Sequence, residues 1–111
     1  MAVSVKTLIP AKFVEIAQTN QYTASGVVAI IDRVTATNVS GSATTLTINL
    51  IASGGSAGGN NTLLYQKTIQ PGGSYSCPEV SGHVLNNGTS ISTQAGAASS
   101  ISLTISGREI S

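Results

Sequence analysis

Polar and apolar positions alternate along most of this chain, with the two-residue period of β-strands. Over residues 44–50 the pattern puts Leu46, Ile48 and Leu50 on one face and Thr45, Thr47 and Asn49 on the other. Over residues 101–106 it turns Ile101, Leu103 and Ile105 inward. Threonine at the intervening positions reinforces the reading, because β-branched side chains suit a pleated surface. Residues 27–37 form a longer run, apolar on both faces at its start. That predicts a strand covered on both sides, by its own core and by a partner. Residues 63–69 predict another strand, and residues 3–9, 13–17, 75–80 and 90–93 shorter ones.

Turn chemistry separates the runs. Asn38-Val39-Ser40-Gly41-Ser42 joins two alternating segments and predicts a hairpin. Pro71-Gly72-Gly73 predicts a tight turn, since proline presets φ and glycine accepts a positive value. Asn86-Asn87-Gly88 predicts a second. Residues 53–61, Ser-Gly-Gly-Ser-Ala-Gly-Gly-Asn-Asn, read as a flexible loop of the kind where contacts collect. The one helical candidate is a short piece over residues 79–85. No linker and no fixed-period repeat interrupts the chain. The expectation is an all-β, antiparallel β-sandwich, jelly-roll-like, of about seven or eight short strands. It forms a single domain over residues 1–111, with residues 1–12 either an N-terminal arm or an ordinary first strand.

Composition narrows the partners. Of 111 residues only 8% are charged, five basic against four acidic, where roughly 25% is usual. Five cations make no basic patch, so neither nucleic acid nor an anionic membrane is an expected partner. The longest apolar run, residues 27–31, is far short of the roughly 20 residues of a membrane span. No signal-type apolar stretch opens the sequence, so export by that route is not expected. Serine and threonine together number 29, and solubility therefore rests on neutral hydroxyls. A net charge of +1 does little to hold copies apart, which suits a protein packed against neighbours.

Catalytic chemistry is poorly represented. Gly54-Gly55-Ser56-Ala57-Gly58 fits G-x-S-x-G, and Glu79 and His83 follow Ser56 in hydrolase order. A nucleophile elbow needs a following helix, and none is predicted there. Cys77 and His83 lack a third orienting group, and Cys77, alone in the chain, reads as a small hydrophobe. One Cys and one His fall short of a zinc set, the acids are too scattered for calcium, and no phosphate loop is present. The expectation is a non-enzyme without cofactor or metal. The sequons at Asn38, Asn60 and Asn87 are what chance supplies in a sequence this rich in Ser, Thr and Asn. Tyr65 and Tyr75 flank the Pro71 turn, either as a shared sugar-stacking surface or as sheet residues with satisfied hydroxyls. Asp32 and Arg33 lie in the most apolar strand, pointing to opposite faces by parity. Each is either an edge-protecting charge or half of an ion pair with a partner subunit. Arg108 invites the same two readings, and Lys6 and Lys12 mark the N-terminal segment. The candidate partner-contact residues are thus Lys6, Lys12, Val27, Asp32, Arg33, Tyr65, Tyr75 and Arg108.

Several segments together resemble small virion proteins of tailed bacteriophages. They are Gln21-Tyr22-Thr23-Ala24, residues 36–41, the strand leading into residues 53–58, Ile69-Gln70-Pro71-Gly72-Gly73-Ser74-Tyr75, and Ile105-Ser106-Gly107-Arg108-Glu109-Ile110. The resemblance covers about residues 20–110; Asn86-Asn87-Gly88 departs from it, standing where the family's pattern has an acidic turn. It implies a β-sandwich on the capsid exterior, a decoration or cement protein. Such a protein binds the major capsid protein and copies of itself, as a dimer or trimer, and stabilises the shell. A tail- or fibre-associated virion protein is the alternative within the same resemblance. A receptor- or carbohydrate-binding module is the alternative outside it. No catalytic or ligand motif comes with the resemblance.

Overall fold

The alternating runs pair into two antiparallel sheets. A computed structural model describes residues 2–111. Its strands are β1 (Val3–Phe13), β2 (Thr19–Thr23), β3 (Val28–Asn38), β4 (Thr44–Ile51), β5 (Thr62–Ile69), β6 (Ser74–Tyr75), β7 (Val84–Leu85), β8 (Ser90–Ala95) and β9 (Ile101–Ile110). One sheet runs β1-β9-β3-β6, with β7 also on β3; the other runs β2-β8-β4-β5. The chain is therefore a long antiparallel ribbon, β1 with β9, β2 with β8, β3 with β6 and β4 with β5. Its successive segments alternate between the two layers. That is the winding of a jelly roll.

The core lies between the sheets. Leu46, Ile48, Ile91, Ile101, Leu103 and Ile105 have no exposed surface, and Ile31, Val34 and Leu85 join them. These are the inward positions of the alternating runs, so the period-two pattern fixed which face is buried. Burying a side chain of this size contributes about 1.5–3 kcal/mol, and the layer is continuous across both sheets.

Several local expectations are corrected. Residues 38–42 do not close a hairpin, because β3 and β4 belong to different sheets. The Asn38 side chain makes the crossing turn: its amide nitrogen donates to the carbonyls of Ser42 and Ile69, both at 2.8 Å, and its oxygen accepts from Ser40. Residues 78–82 are turns rather than a helical piece or the end of a strand over 75–80, with Val80 N donating to Cys77 O, and β7 follows at Val84–Leu85. Residues 14–18 are a connection, while β2, which carries no apolar alternation, is a strand beside β8. Pro71 and Gly72 form the expected turn, with Gly72 at φ +74° and Gly73 N donating to Gln70 O. The N-terminal segment is a strand over Val3–Phe13, paired with β9.

Candidate functional site

The charged candidates sit on β1, β3 and β9, and most are answered within the chain. The ladder between β3 and β9 shifts between Ile31 and Arg33, leaving Asp32 as the extra residue of a β-bulge. The parity expected from a regular strand is broken there, and Asp32 and Arg33 are both exposed rather than on opposite faces. Asp32 accepts a two-pronged hydrogen bond from Arg108, Nη2 to Oδ1 at 2.9 Å and Nε to Oδ2 at 3.0 Å. Lys6 pairs with Glu109 at 3.2 Å and Lys12 with Glu15 at 3.0 Å. Arg33 alone of these cations has no carboxylate partner among the described residues.

Three carboxyls are held below their ordinary range. The Tyr22 hydroxyl donates to Glu109, Tyr75 donates to Glu79, and Gln21 with Lys12 donates to Glu15. Each bond stabilises the ionised form. The tyrosines respond in the opposite direction: the bond to Glu79 pushes Tyr75 up to about 12, and burial, then Glu109, raises Tyr22.

Tyr65 and Tyr75 do not share a surface. Tyr75 lies on β6, its hydroxyl on Glu79 at 2.6 Å and the Lys67 ammonium 4.9 Å from its ring centre. Tyr65 stands on the outer side of the four-stranded sheet, 71% exposed. The hydrolase-like residues are not drawn together either. Ser56 lies in the loop over that sheet, Glu79 is held by Tyr75, and His83 is exposed at the turn before β7. Cys77 is fully buried, and burial pushes its thiol up to about 12. It is therefore neutral at physiological pH and no nucleophile. No group of three or more metal-ligating side chains occurs among the described residues.

Two outer faces remain. On the five-stranded sheet, residues paired across strands share a face. Val3 and Val28 both oppose Ile110, Val5 and Ile30 both oppose Arg108, and Val84 opposes Ile30. These six apolar side chains form one patch across four strands, with Val5 80% exposed and Val3 and Val84 more than half exposed. The Arg108–Asp32 pair lies within it. Val27, at the entry to β3, is half-buried against the core. The patch adjoins β1, an outermost strand of its sheet whose residues 3–7 keep regular register.

The other outer face is uncharged. Thr45, Thr47 and Asn49 of β4 lie beside Ser90, Ser92 and Gln94 of β8. The glycine-rich loop folds over it. Asn49 Nδ2 donates to Gly58 O, Asn61 Oδ1 and Thr62 Oγ1 at 2.8–3.2 Å, and Gln18 Nε2 donates to Asn49 Oδ1. Asn49 is consequently buried, although alternation assigns it to the outer side. Between the loop and Gln94 runs a groove of about 630 Å³, with Thr47, Leu63 and Tyr65 in its walls. Of its residues only Tyr65 is legible in the sequence as a candidate. Gln18, Asn49 and Gln94 are ordinary polar residues until the fold gathers them. Val3 and Val5 did carry a signal, the alternation at the start of the chain.

No protein-family model, curated protein or solved structure matches the chain. The functional reading therefore rests on its own faces.

Proposed function

We propose that the protein is a structural subunit of a tailed-phage virion, a capsid decoration protein that binds the major capsid protein and copies of itself. The supporting observation is the apolar patch of Val3, Val5, Val28, Ile30, Val84 and Ile110 on the five-stranded sheet. Apolar groups clustered across four strands lose their contact with water only when another surface covers them. The adjacent edge of β1 adds backbone donors and acceptors that extend a partner's sheet. The near absence of free charge lowers the desolvation cost of packing. Jelly rolls serve both as capsid components and as lectins, so the winding agrees with this reading without selecting it.

The test is the composition of purified virions. The chain is expected in amounts comparable with the major capsid protein, and particles lacking it should release DNA at lower temperature. Val5→Asp with Val84→Asp should leave the monomer folded and abolish incorporation, since both positions are largely exposed. A few copies per particle would move the chain to the tail. Normal incorporation of the double variant would remove the patch from the interface.

A further inference from the structure

The two faces of the sandwich differ in chemistry, and the uncharged one holds a built groove. We propose that the groove over β4 and β8 binds a neutral carbohydrate. Its walls are Thr47, Leu63, Tyr65, Gln94, Gln18 and the loop at residues 57–59. No Asp, Glu, Lys, Arg or His lines it. A charged ligand would lose its hydration there without a counter-charge in return, which selects against nucleotides, acidic sugars and charged peptides. A volume of about 630 Å³ falls within the roughly 300–1,000 Å³ usual for small-ligand sites.

The remaining hydrogen-bonding capacity matches a polyol. Gln18 Nε2 is spent on Asn49 Oδ1 and Ser92 Oγ, and Gln94 Nε2 on the carbonyl of Ile16. Thr47 Oγ1 accepts from the Gln66 amide at 3.0 Å. These bonds fix the walls. They leave the amide oxygens of Gln18 and Gln94 and the hydroxyl hydrogen of Thr47 without an intramolecular partner among the described residues. Adjacent sugar hydroxyls both donate and accept, so they suit this mixture. A wall already immobilised by its own hydrogen bonds loses little entropy on binding.

Tyr65 supplies the apolar element. It lies in β5 beside Gln66, whose φ of +45° marks an irregular strand there. Tyr65 is 71% exposed at the groove, and its hydroxyl has no hydrogen bond within the described chain. A largely exposed tyrosine whose hydroxyl has no partner in its own fold offers a flat face to the C–H surface of a pyranose and a hydroxyl to its rim. Leu63 continues that apolar strip into the groove.

The inference stands apart from the assembly reading, because the groove and the apolar patch lie on opposite sheets. The test is saturation-transfer NMR on the intact chain. The probes are neutral hexasaccharides of glucose, mannose, galactose and N-acetylglucosamine at millimolar concentration, each beside a sulfated counterpart. Transfer from at least one neutral probe is expected, with no gain on sulfation. Tyr65→Ala and Gln94→Ala should each weaken binding about tenfold or more, while Tyr65→Phe retains most of it. Both positions are exposed, so unchanged melting of the variants is the check on folding. Absence of transfer from all four neutral probes, preference for the sulfated forms, or indifference to Tyr65→Ala would each overturn the proposal. Val5→Asp should leave sugar binding unchanged, which separates this inference from the fate of the assembly reading.

Discussion

Gly107 lies inside β9 and faces the core, opposite Ile31 of β3 and Lys6 of β1. A Cβ at this position would come within 2.1 Å of the Ile30 carbonyl oxygen and 3.0 Å of Leu8 Cδ1. The oxygen is backbone held in a ladder, so it cannot step aside as a side chain would. Gly107→Ala should therefore destabilise the fold by about 3 kcal/mol, at the upper end of overpacking costs. Gly41→Ala, which meets nothing within 4 Å, should stay within about 0.5 kcal/mol. Urea melts of the two variants check the contrast, and equal midpoints would contradict the close approach. The sequence alone shows a glycine in a strand, and only the neighbouring strand explains it. Leu103 and Ile105, by contrast, were legible at once, because alternation decides their face without knowledge of any partner. Asp32 shows where that logic ends: one bulge residue breaks the parity on which it rests.

At the scale of elements, strands with strong alternation were readable and those without it were not. β4, β8 and β9 announce themselves through apolar residues and Thr at period two. β2 is Thr-Asn-Gln-Tyr-Thr, and its strand character comes from pairing with β8 rather than from its own pattern. Turn residues mark where a strand ends but not which sheet the next one joins, and so a crossing turn at Asn38 looked like a hairpin. The loop at residues 53–61 makes the same point. Its glycines suggest freedom, yet Asn49 and Asn61 hold its far end, with Asn61 Nδ2 donating to Ser56 O at 2.9 Å. Removing the Asn49 amide takes a donor from Asn61 Oδ1 and Thr62 Oγ1 and one acceptor from Gln18, while Gly58 O keeps its bonds from Asn61 N and Thr62 Oγ1. Asn49→Ala should cost about 1–3 kcal/mol. It should also raise amide exchange across residues 56–61 well before the rest of the chain opens. Exchange confined to global unfolding in the variant would show that the loop is held by something else.

Across the whole molecule, the few ionisable groups define a stability plateau. Glu15, Glu79 and Glu109 are held below the ordinary 4.5 by donated hydrogen bonds. The unfolded chain then binds more protons than the folded one as the solution is acidified. Their contribution is present above pH 4.5 and is lost as pH falls below it. On the alkaline side the sign reverses. Cys77 is raised from 9.0 to about 12 by burial, and Tyr75 from 10.0 to about 12 by its bond to Glu79. The unfolded thiol ionises first, so stability declines as pH rises past about 9 and steepens past 10. The melting temperature should accordingly be level between about pH 5 and 9 and fall on both sides. Glu109→Gln should shallow the acid limb, because the titrating carboxylate is gone; the amide's single oxygen can replace only one of the two oxygens that accept from Lys6 and Tyr22, and it does so independently of pH. Cys77→Ala should delay the alkaline decline to about pH 10, where the tyrosines take over. Calorimetry from pH 3 to 11 on the monomer reads both limbs. An alkaline limb that begins at the same pH with and without Cys77 would mean that the thiol is not as deeply enclosed as its position under the turns after β6 requires.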